Sequence, residues 1–423
     1  MAPLRILVSG GGIAGPAVAF WLARLGHSCT IVERFPGLRA NGQQIDLREQ
    51  GIDAAQRMGI LDEVRRRGVD EAGTEFIDGG GARRAYMKKS PPGERESVSS
   101  EFEIMRGDLC RLLFEATEHA VTYRFGVTVD DFADEDGGRG VRVTLSDGSV
   151  ESYDLLIGAD GQGSRIRKKM LACDGLEDSY RSLGVFVCYY TVARQPDETR
   201  NEMTVCLLPK RRVVLTRWHA QHSGQSYLFT MSHADELRQA LRQDSGAQRA
   251  LFARIFRDAG WKVPRLLREM DVADDFYAHE IVQVTAKHWS RGRVVLLGDA
   301  GYTPSLFTGM GTSLALVGAC VLAGEMARHP GDLPGALAAY DAVLRPLVDE
   351  VQHLAPGLPG LLFRETELGV RVLHTVLWLL SLTLQLVLGP RIGRVLDAAV
   401  PGRRKRWTLP EYPELGEVKP KSS

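Results

Sequence analysis

The 423-residue chain lacks net charge, because 53 lysines and arginines balance 53 aspartates and glutamates. Its bulk charge therefore does not indicate a nucleic-acid partner. Six scattered cysteines form no CxxC pair, and ten histidines form no HxxxH or HExxH pair. These absences argue against a disulfide framework and against a metal site, and they favour a reducing, cytoplasmic location. The N-terminus lacks the pattern of a signal peptide, since a short strand runs directly into glycines.

The first organised segment has the order strand, glycine turn, helix, strand and acid. An apolar run at 4–9 leads into Gly10, Gly11, Gly12, Ile13, Ala14 and Gly15, which match GxGxxG. Helical spacing follows at 16–25, and a second strand at 28–32 ends in Glu33. This arrangement is typical of a unit that binds an adenine dinucleotide. Gly10 would form the tight turn, Gly12 would admit the pyrophosphate, and Glu33 would accept a hydrogen bond from the ribose; Gly15 would allow helix and strand to pack.

A second segment, Val294 to Ser313, predicts the other half of the same site. An apolar strand ends at Gly298-Asp299, and a glycine-rich loop then enters a helix at about Thr312. An acid at the end of a buried strand can hold a ribityl hydroxyl, while Gly309 and Gly311 let the backbone approach a flat ring. The helix N-terminus presents partial positive charge, which suits the anionic pyrimidine edge of a reduced flavin.

The remaining pattern predicts an α/β chain in which a Rossmann-like domain is interrupted by a mostly antiparallel second domain. Short alternating strands begin after about residue 175 and indicate the antiparallel sheet. A pocket between the two domains would be the natural ligand site. The predicted boundaries are FAD-binding segments at 1–72, 101–174 and 281–355, a substrate-domain hairpin at 73–100, a substrate-binding β-sheet domain at 175–280, and a C-terminal apolar helix with a basic tail at 356–423.

The C-terminal region contains an apolar run at 372–388, followed by Arg391, Arg394 and a basic run at 403–406. One interpretation is a buried helix that packs across both domains. The other is weak membrane attachment, since the run just reaches the length of a short span. His374 and Gln385 favour the buried helix, because both would be costly at bilayer depth.

Four features together resemble the group A flavoprotein monooxygenases, the FAD-dependent aromatic hydroxylases of the p-hydroxybenzoate hydroxylase fold. They are GxGxxG with Glu33, Arg106, GADG at 158–161 and GDA at 298–300. The resemblance covers about residues 1–355. The stretch Gly42 to Leu47 is similar to that of the tetracycline-inactivating and polyketide-tailoring members.

The resemblance assigns cofactor roles to individual residues. FAD would be bound by Gly10, Gly12, Ile13, Ala14, Gly15, Glu33, Arg34, Asp46, Arg106, Asp160, Asp299 and the backbone of Gly309, Met310, Gly311 and Thr312. Arg39 would meet NADPH. Gln44, Pro304 and Phe307 would contact substrate. The chain departs from the family after GDA, where Gly301-Tyr302 replaces an alanine-histidine pair, and at Ser313, where the family has Asn or Gln.

The resemblance also implies the reaction. NADPH reduces the flavin, O₂ adds to it, and a flavin C4a-hydroperoxide transfers one oxygen atom to an aromatic or polyketide-like small molecule, most simply by hydroxylation. An acid or base is needed only to ionise the substrate, and Tyr189, Arg217 and His219 on the second-domain sheet are the candidates. Alternatives are a membrane-associated flavin epoxidase and a flavin-binding protein without turnover. A flavin halogenase would require a WxWxIP segment, which the sequence lacks.

Overall fold

A computed structural model describes residues 2–38, 42–89, 102–135, 137–355, 357–387 and 407–416. Its first sheet has six strands in the order β17-β18-β11-β1-β2-β7. The strands pair in parallel, except β17 with β18. Their bounds are Arg5–Ser9 (β1), Ser28–Glu33 (β2), Thr122–Phe125 (β7), Leu155–Gly158 (β11), Ser290–Arg291 (β17) and Val294–Leu296 (β18). This is the predicted Rossmann-like sheet, and the α/β fold class is confirmed.

A seven-stranded sheet forms the second layer, in the order β16-β12-β15-β14-β13-β4-β5. Its pairs are antiparallel except β13 with β4. The bounds are Gly73–Ile77 (β4), Arg83–Lys88 (β5), Tyr180–Ala193 (β12), Met203–Leu208 (β13), Arg212–Trp218 (β14), Ser223–Thr230 (β15) and Tyr277–Val284 (β16). Strands β4 and β5, from the first part of the chain, thus extend a sheet whose other strands come from residues 180–284.

Two small sheets complete the strands. Val129–Glu135 (β8), Gly140–Leu145 (β9) and Val150–Tyr153 (β10) form an antiparallel meander. Gln44–Asp46 (β3) pairs with Glu103–Met105 (β6). The apolar run at 150–157 does not form one continuous strand. The chain turns at Asp154, whose backbone N–H donates to Arg5 O at 2.8 Å, so that β10 and β11 belong to different sheets.

Helices cover the sheets and contribute to each of the three hydrophobic cores of the described residues. Their bounds are Ala14–Arg24 (α1), Gln50–Arg57 (α2), Leu61–Arg66 (α3), Arg106–Glu115 (α4), Arg165–Cys173 (α5), Ala234–Ala240 (α6), Ser245–Phe256 (α7), Val263–Val272 (α8), Asp299–Tyr302 (α9), Gly311–Arg328 (α10), Leu333–Gln352 (α11) and Glu367–Val387 (α12), with short 3₁₀ turns at Leu306–Thr308 and Pro413–Leu415. Helices α1, α10 and α11 pack in the core of the six-stranded sheet, and α6 to α8 cover one face of the seven-stranded sheet.

Helix α12 covers part of the other face of the seven-stranded sheet. Val370, Leu373 and Leu377 pack into the core on that face, while Val372, Val376, Leu379 and Leu380 are exposed. Over residues 367–382 the helix is therefore buried along one side only, and it differs in this from the buried helix across both domains that one interpretation of the apolar run predicts. Among the helices of the described ranges, none combines the length and the apolar character needed to cross a bilayer. The basic run at 403–406 lies outside the described residues.

The final described segment, 407–416, folds back over the first domain. Gln50 Nε2 donates to Trp407 O at 2.9 Å, and Trp407 Nε1 donates to Val343 O at 2.9 Å. Tyr412 donates its hydroxyl hydrogen to the buried Glu325 at 2.8 Å. Tyr412 fits because Gly324 has no side chain: a Cβ there would lie 2.3 Å from the tyrosine ring. No motif or periodic pattern predicts this return of the tail.

Candidate functional site

The glycine turn between β1 and α1 is shaped by two backbone contacts. Gly10 has φ +116°, and a Cβ at this position would lie 2.3 Å from Ala159 O. A Cβ at Gly15 would lie 2.0 Å from Gly10 O. Gly12 differs, since its Cβ would meet only the side chain of Arg106, 3.2 Å from Nη2. The turn thus presents its Gly12 side to a cation, and Ile13 and Ala14 begin the helix behind it.

The carboxylate of Glu33, at the end of β2, binds the backbone of this turn. One carboxylate oxygen accepts from Gly11 N at 2.7 Å, and the other accepts from Phe35 N at 3.0 Å. Each oxygen keeps a second lone pair, so the half-buried carboxylate can also accept from a ribose hydroxyl. Arg34 follows at the surface, with its guanidinium 4.8 Å from the centre of the Phe35 ring.

The space between Asp299, the first residue of α9, and Arg106, the first residue of α4, is called the cleft below. Solvent reaches the Asp299 side chain, yet protein surrounds the carboxylate closely enough that burial raises its pKa, an effect that the charge of Arg106 opposes. Within the part of the chain that the structure describes, the Arg106 guanidinium takes part in no hydrogen bond or ion pair. An unpaired cation beside Gly12 is a suitable partner for a pyrophosphate.

The loop from Asp299 to Thr312 borders this space and leads into α10. Gly309 has φ +64° and lies beside Arg48, with 3.4 Å between its built Cβ and Nε. Met310 is the N-cap of α10, and Gly311 and Thr312 are the first helical residues. The N–H groups of a first helical turn have no partner within the helix. They can therefore face the electron-rich edge of a flat ring.

Ser313, which replaces the family's Asn or Gln, has a structural contact. Its buried hydroxyl oxygen accepts from the backbone N–H of Arg48 at 2.9 Å. A Cβ at Gly51 would lie 2.4 Å from this oxygen. The serine therefore ties the start of α10 to the segment that leads into α2.

Asp160 follows Ala159, whose carbonyl oxygen lies against Gly10 in the glycine turn. One of its oxygens accepts from Arg165 N at 2.9 Å and holds the start of α5. The other is buried and has no donor among the described residues. Burial raises the pKa of this carboxyl. Arg39, predicted to meet NADPH, lies outside the described residues.

Arg217 and Gln44 belong to a buried polar network between the two sheets. Arg217 donates to both oxygens of Glu71, at 2.8 and 3.1 Å, and to Glu103 at 2.8 Å. Gln44 Nε2 donates to Glu103 at 2.8 Å. Asp46 accepts from Arg48 at 2.9 Å. Sequence reasoning missed Glu71 and Glu103, because neither belongs to a motif and only the fold brings them together.

The face of the seven-stranded sheet that carries Arg217 also carries an aromatic wall. Tyr189 lies 5.8 Å from Tyr227 and 5.5 Å from Tyr277, measured between ring centres. Phe307, from the loop that borders the cleft, packs against the same face. Pro304, three residues earlier, is buried and accepts from Gln283 Nε2 at 3.1 Å.

His219 lies one residue beyond β14. Burial lowers its pKa, although Asp108 and Asp275 oppose this effect. Its Nδ1 has no partner within the described residues.

A separate cavity of about 370 Å³ lies on the helix-covered side of the seven-stranded sheet, lined in part by Thr204, Trp218, Trp261 and Lys262. None of the residues assigned to the cofactor lines it. Its walls carry several charged side chains, among them the ion pair of Glu198 with Lys262 at 2.7 Å.

Four features together define a flavoprotein. They are the glycine turn, the acid at the end of β2, the GDA loop and the sheet of the second domain. Residues 4–351 match the FAD binding domain family. The chain belongs to the group A flavoprotein monooxygenases and is an FAD-dependent monooxygenase.

Relatives support this assignment over nearly the whole chain. The FAD-dependent monooxygenase asL4 of Sarocladium schorii is 36% identical over 438 aligned positions, which cover 98% of this chain and 99% of the relative. The flavin-dependent monooxygenase eupH of Phoma sp is 36% identical and covers 89% and 91% of the two chains. The crystal structure of tetracycline destructase Tet(51) aligns with a TM-score of 0.74 and 28% identity, covering 97% of this chain and 100% of the other.

Proposed function

We propose that this monooxygenase uses NADPH and O₂ to hydroxylate an aromatic or polyketide-like small molecule. The observation that carries the proposal is the position of Phe307. It belongs to the loop that runs from Asp299 to the glycines of the flavin site, and it packs against the aromatic wall that includes Tyr189 and Tyr227. A molecule seated against this wall would therefore lie beside the flavin site.

The residues present fit FAD as follows. Gly10, Gly12 and Glu33 would hold the adenosine and pyrophosphate, and Arg106 would neutralise phosphate charge. Asp299 would accept from the ribityl chain, and the N–H groups at 309–312 would meet the pyrimidine edge. The bound flavin supplies hydride acceptance and O₂ activation. The protein's own contributions are to orient the two reactants and to exclude water from the cleft.

The substrate class is inferred from the wall. Tyrosine and phenylalanine rings favour a flat, electron-rich partner through stacked or edge-on contacts. Tyr277 and His279 are only partly buried, and their rings lie 5.5 Å apart. Two similar solved structures are tetracycline destructases, Tet(51) and Tet(55), and a fused-ring polyketide of that kind would suit such a wall.

The visible spectrum of the purified protein, recorded without oxygen before and after NADPH, tests the proposal first. We expect a flavin band that bleaches with NADPH. Candidate aromatic and polyketide substrates would then be screened by NADPH consumption, and the product would be analysed for one atom of labelled oxygen from isotopic O₂. A flavin band that fails to bleach, both alone and with every candidate substrate, would support a flavin-binding protein without turnover. A product epoxidised at a double bond would replace hydroxylation by epoxidation.

A further inference from the structure

Two acids lie directly opposite one another in the short pair of strands β3 and β6. Asp46 on β3 is the register partner of Glu103 on β6. Directly opposite side chains in an antiparallel pair have Cβ atoms about 4.5–5.5 Å apart, and like charges in this position are destabilising. Glu103 is fully buried. The fold therefore places two carboxyl groups together where water cannot screen them.

The hydrogen bonds around the pair leave one oxygen unexplained. Glu103 accepts from Arg217 and from Gln44, each at 2.8 Å. Asp46 accepts from Arg48 through Oδ2. Its Oδ1 is buried and has no donor among the described residues, although the Glu103 carboxyl lies within hydrogen-bonding reach. Two carboxylates cannot donate to each other, so this contact becomes a hydrogen bond only when one of them is protonated.

The charges of the cluster lead to the same conclusion. Among the described residues, Arg48 donates to Asp46, and Arg217 donates to Glu71 and Glu103. No donor among these residues reaches Asp46 Oδ1, and two like charges held together in a buried site are costly. Burial raises the pKa of Glu103 to about 9; the charge of Arg217 opposes this effect, and those of Asp46 and Glu71 add to it.

We propose that Asp46 and Glu103 share one proton at neutral pH and that this pair donates it into the flavin cleft during turnover. Asp46 is the outer member, with 14% of its side chain exposed, and its partner Arg48 lies against Gly309 of the flavin loop. The proton would move from Glu103 to Asp46 and then to an oxygen in the cleft, and solvent would return it. Two carboxylates remain, held by Arg48 and Arg217.

The two parts of this proposal are tested separately. The shared proton depends only on the geometry, whereas the donation rests on the proposed oxygen-transfer function. Infrared spectroscopy of the full-length protein with its bound FAD detects a protonated carboxyl by its C=O stretch, which shifts in D₂O. At pH 7 we expect this band in the wild type and its loss in Glu103→Gln. We also expect its loss in Glu71→Gln, because Glu103 is then the one glutamate among the described residues that pairs with Arg217.

A matched control is Glu202→Gln. Glu202 is also buried and accepts from Tyr86 at 3.1 Å, but it lies outside the cluster. This variant should keep the band. Absence of the band from the wild type, or its persistence in Glu103→Gln, would refute the shared proton even if the protein proves to be an active monooxygenase.

Turnover tests the donation. Glutamine can hold the protonated geometry, since Gln44 Oε1 lacks a donor and can turn to accept from the new amide. Glu103→Gln should therefore keep its FAD and its rate of flavin reduction by NADPH. Product formation should fall about a hundredfold or more, in the range of general acid catalysis, and its pH dependence should flatten. A wild-type rate and pH profile in this variant would contradict the donation.

Discussion

The guanidinium of Arg106 lies against the backbone of Gly12, where a built Cβ would approach Nη2 to 3.2 Å. This contact joins the glycine turn after β1 to the start of α4, although 94 residues of chain separate the two positions in the sequence. Gly12 does not need a positive φ, and its neighbour is the flexible end of a side chain. We therefore expect this glycine to serve the ligand and not the fold.

This distinction predicts opposite results for two glycines of the same motif. Gly12→Ala should fold with a melting temperature near that of the wild type and should lose FAD, because the methyl group fills the approach to the pyrophosphate. Gly15→Ala should lose about 3 kcal/mol of stability, since its Cβ would lie 2.0 Å from Gly10 O. Thermal melting and the ratio of flavin to protein absorbance measure both effects. Equal flavin content in Gly12→Ala and wild type would contradict the assignment.

Asp299→Ala should purify with little flavin while remaining folded. Burial raises the pKa of its carboxyl, which means that holding the charged form in the cleft is unfavourable. The substitution therefore should not destabilise the fold, but it removes the hydrogen-bond acceptor for the ribityl chain. Asp349→Ala, an exposed change on α11, is the control and should keep full occupancy. Full occupancy in Asp299→Ala would remove the residue from the cofactor site.

Arg39→Ala should raise the NADPH concentration needed for half-maximal flavin reduction and leave bound FAD intact. The expectation comes from the family position of this arginine, which would pair with the phosphate of NADPH. Arg257→Ala removes an exposed arginine and should leave NADPH saturation unchanged. Stopped-flow reduction without oxygen makes the comparison. An unchanged saturation curve for Arg39→Ala would contradict the role of Arg39 in binding NADPH.

Phe307→Ala should raise KM for the aromatic substrate severalfold and leave FAD content unchanged, because the ring belongs to the wall of the pocket and not to the cofactor contacts. Its neighbour Leu306 is 45% exposed and provides a matched control, since Leu306→Ala removes a side chain of similar size from the same 3₁₀ turn. If both variants change KM equally, the effect belongs to the loop as a whole.

The stability of Glu103→Gln relative to the wild type should depend on pH. Burial raises the pKa of Glu103 from 4.5 to about 9 in the folded state. Between these values the unfolded chain has released the proton that the folded chain retains, so the wild type loses stability as pH rises. Glutamine has no such proton. The free energy of unfolding of the variant, relative to that of the wild type, should therefore rise from about pH 4.5 toward about pH 9 and stay constant above. Denaturant midpoints measured across this range make the comparison. A difference that does not change with pH would mean that Glu103 is ionised throughout.

The parts of the site that the sequence predicted are local in the chain. The turn from Gly10 to Gly15 and the loop after Asp299 each combine a strand end, glycines and a helix start within a few residues, so their spacing alone determines their shape. Tyr189 and Arg217 were predicted only as candidates, because strand register decides which face they occupy. The register places both on the side of the sheet that Phe307 contacts.

Other features could not be predicted, because they depend on contacts between distant segments. Arg217 meets Glu71 and Glu103 across more than 100 residues of chain, and no motif connects them. Ser313 seemed to remove a contact from the flavin site, but its hydroxyl holds the backbone of Arg48. The return of residues 407–416 onto α10 likewise depends on one small notch, at Gly324.

That notch lets residues 407–416 seal one end of a core helix. Helix α10 begins at the flavin loop, and near its other end it receives Tyr412 at Gly324 and Glu325. Without Tyr412, the buried carboxylate of Glu325 would lose its hydroxyl donor and the notch at Gly324 would open to water. Residues 407–416 thus act as a plug over the end of α10 that lies farthest from the flavin loop.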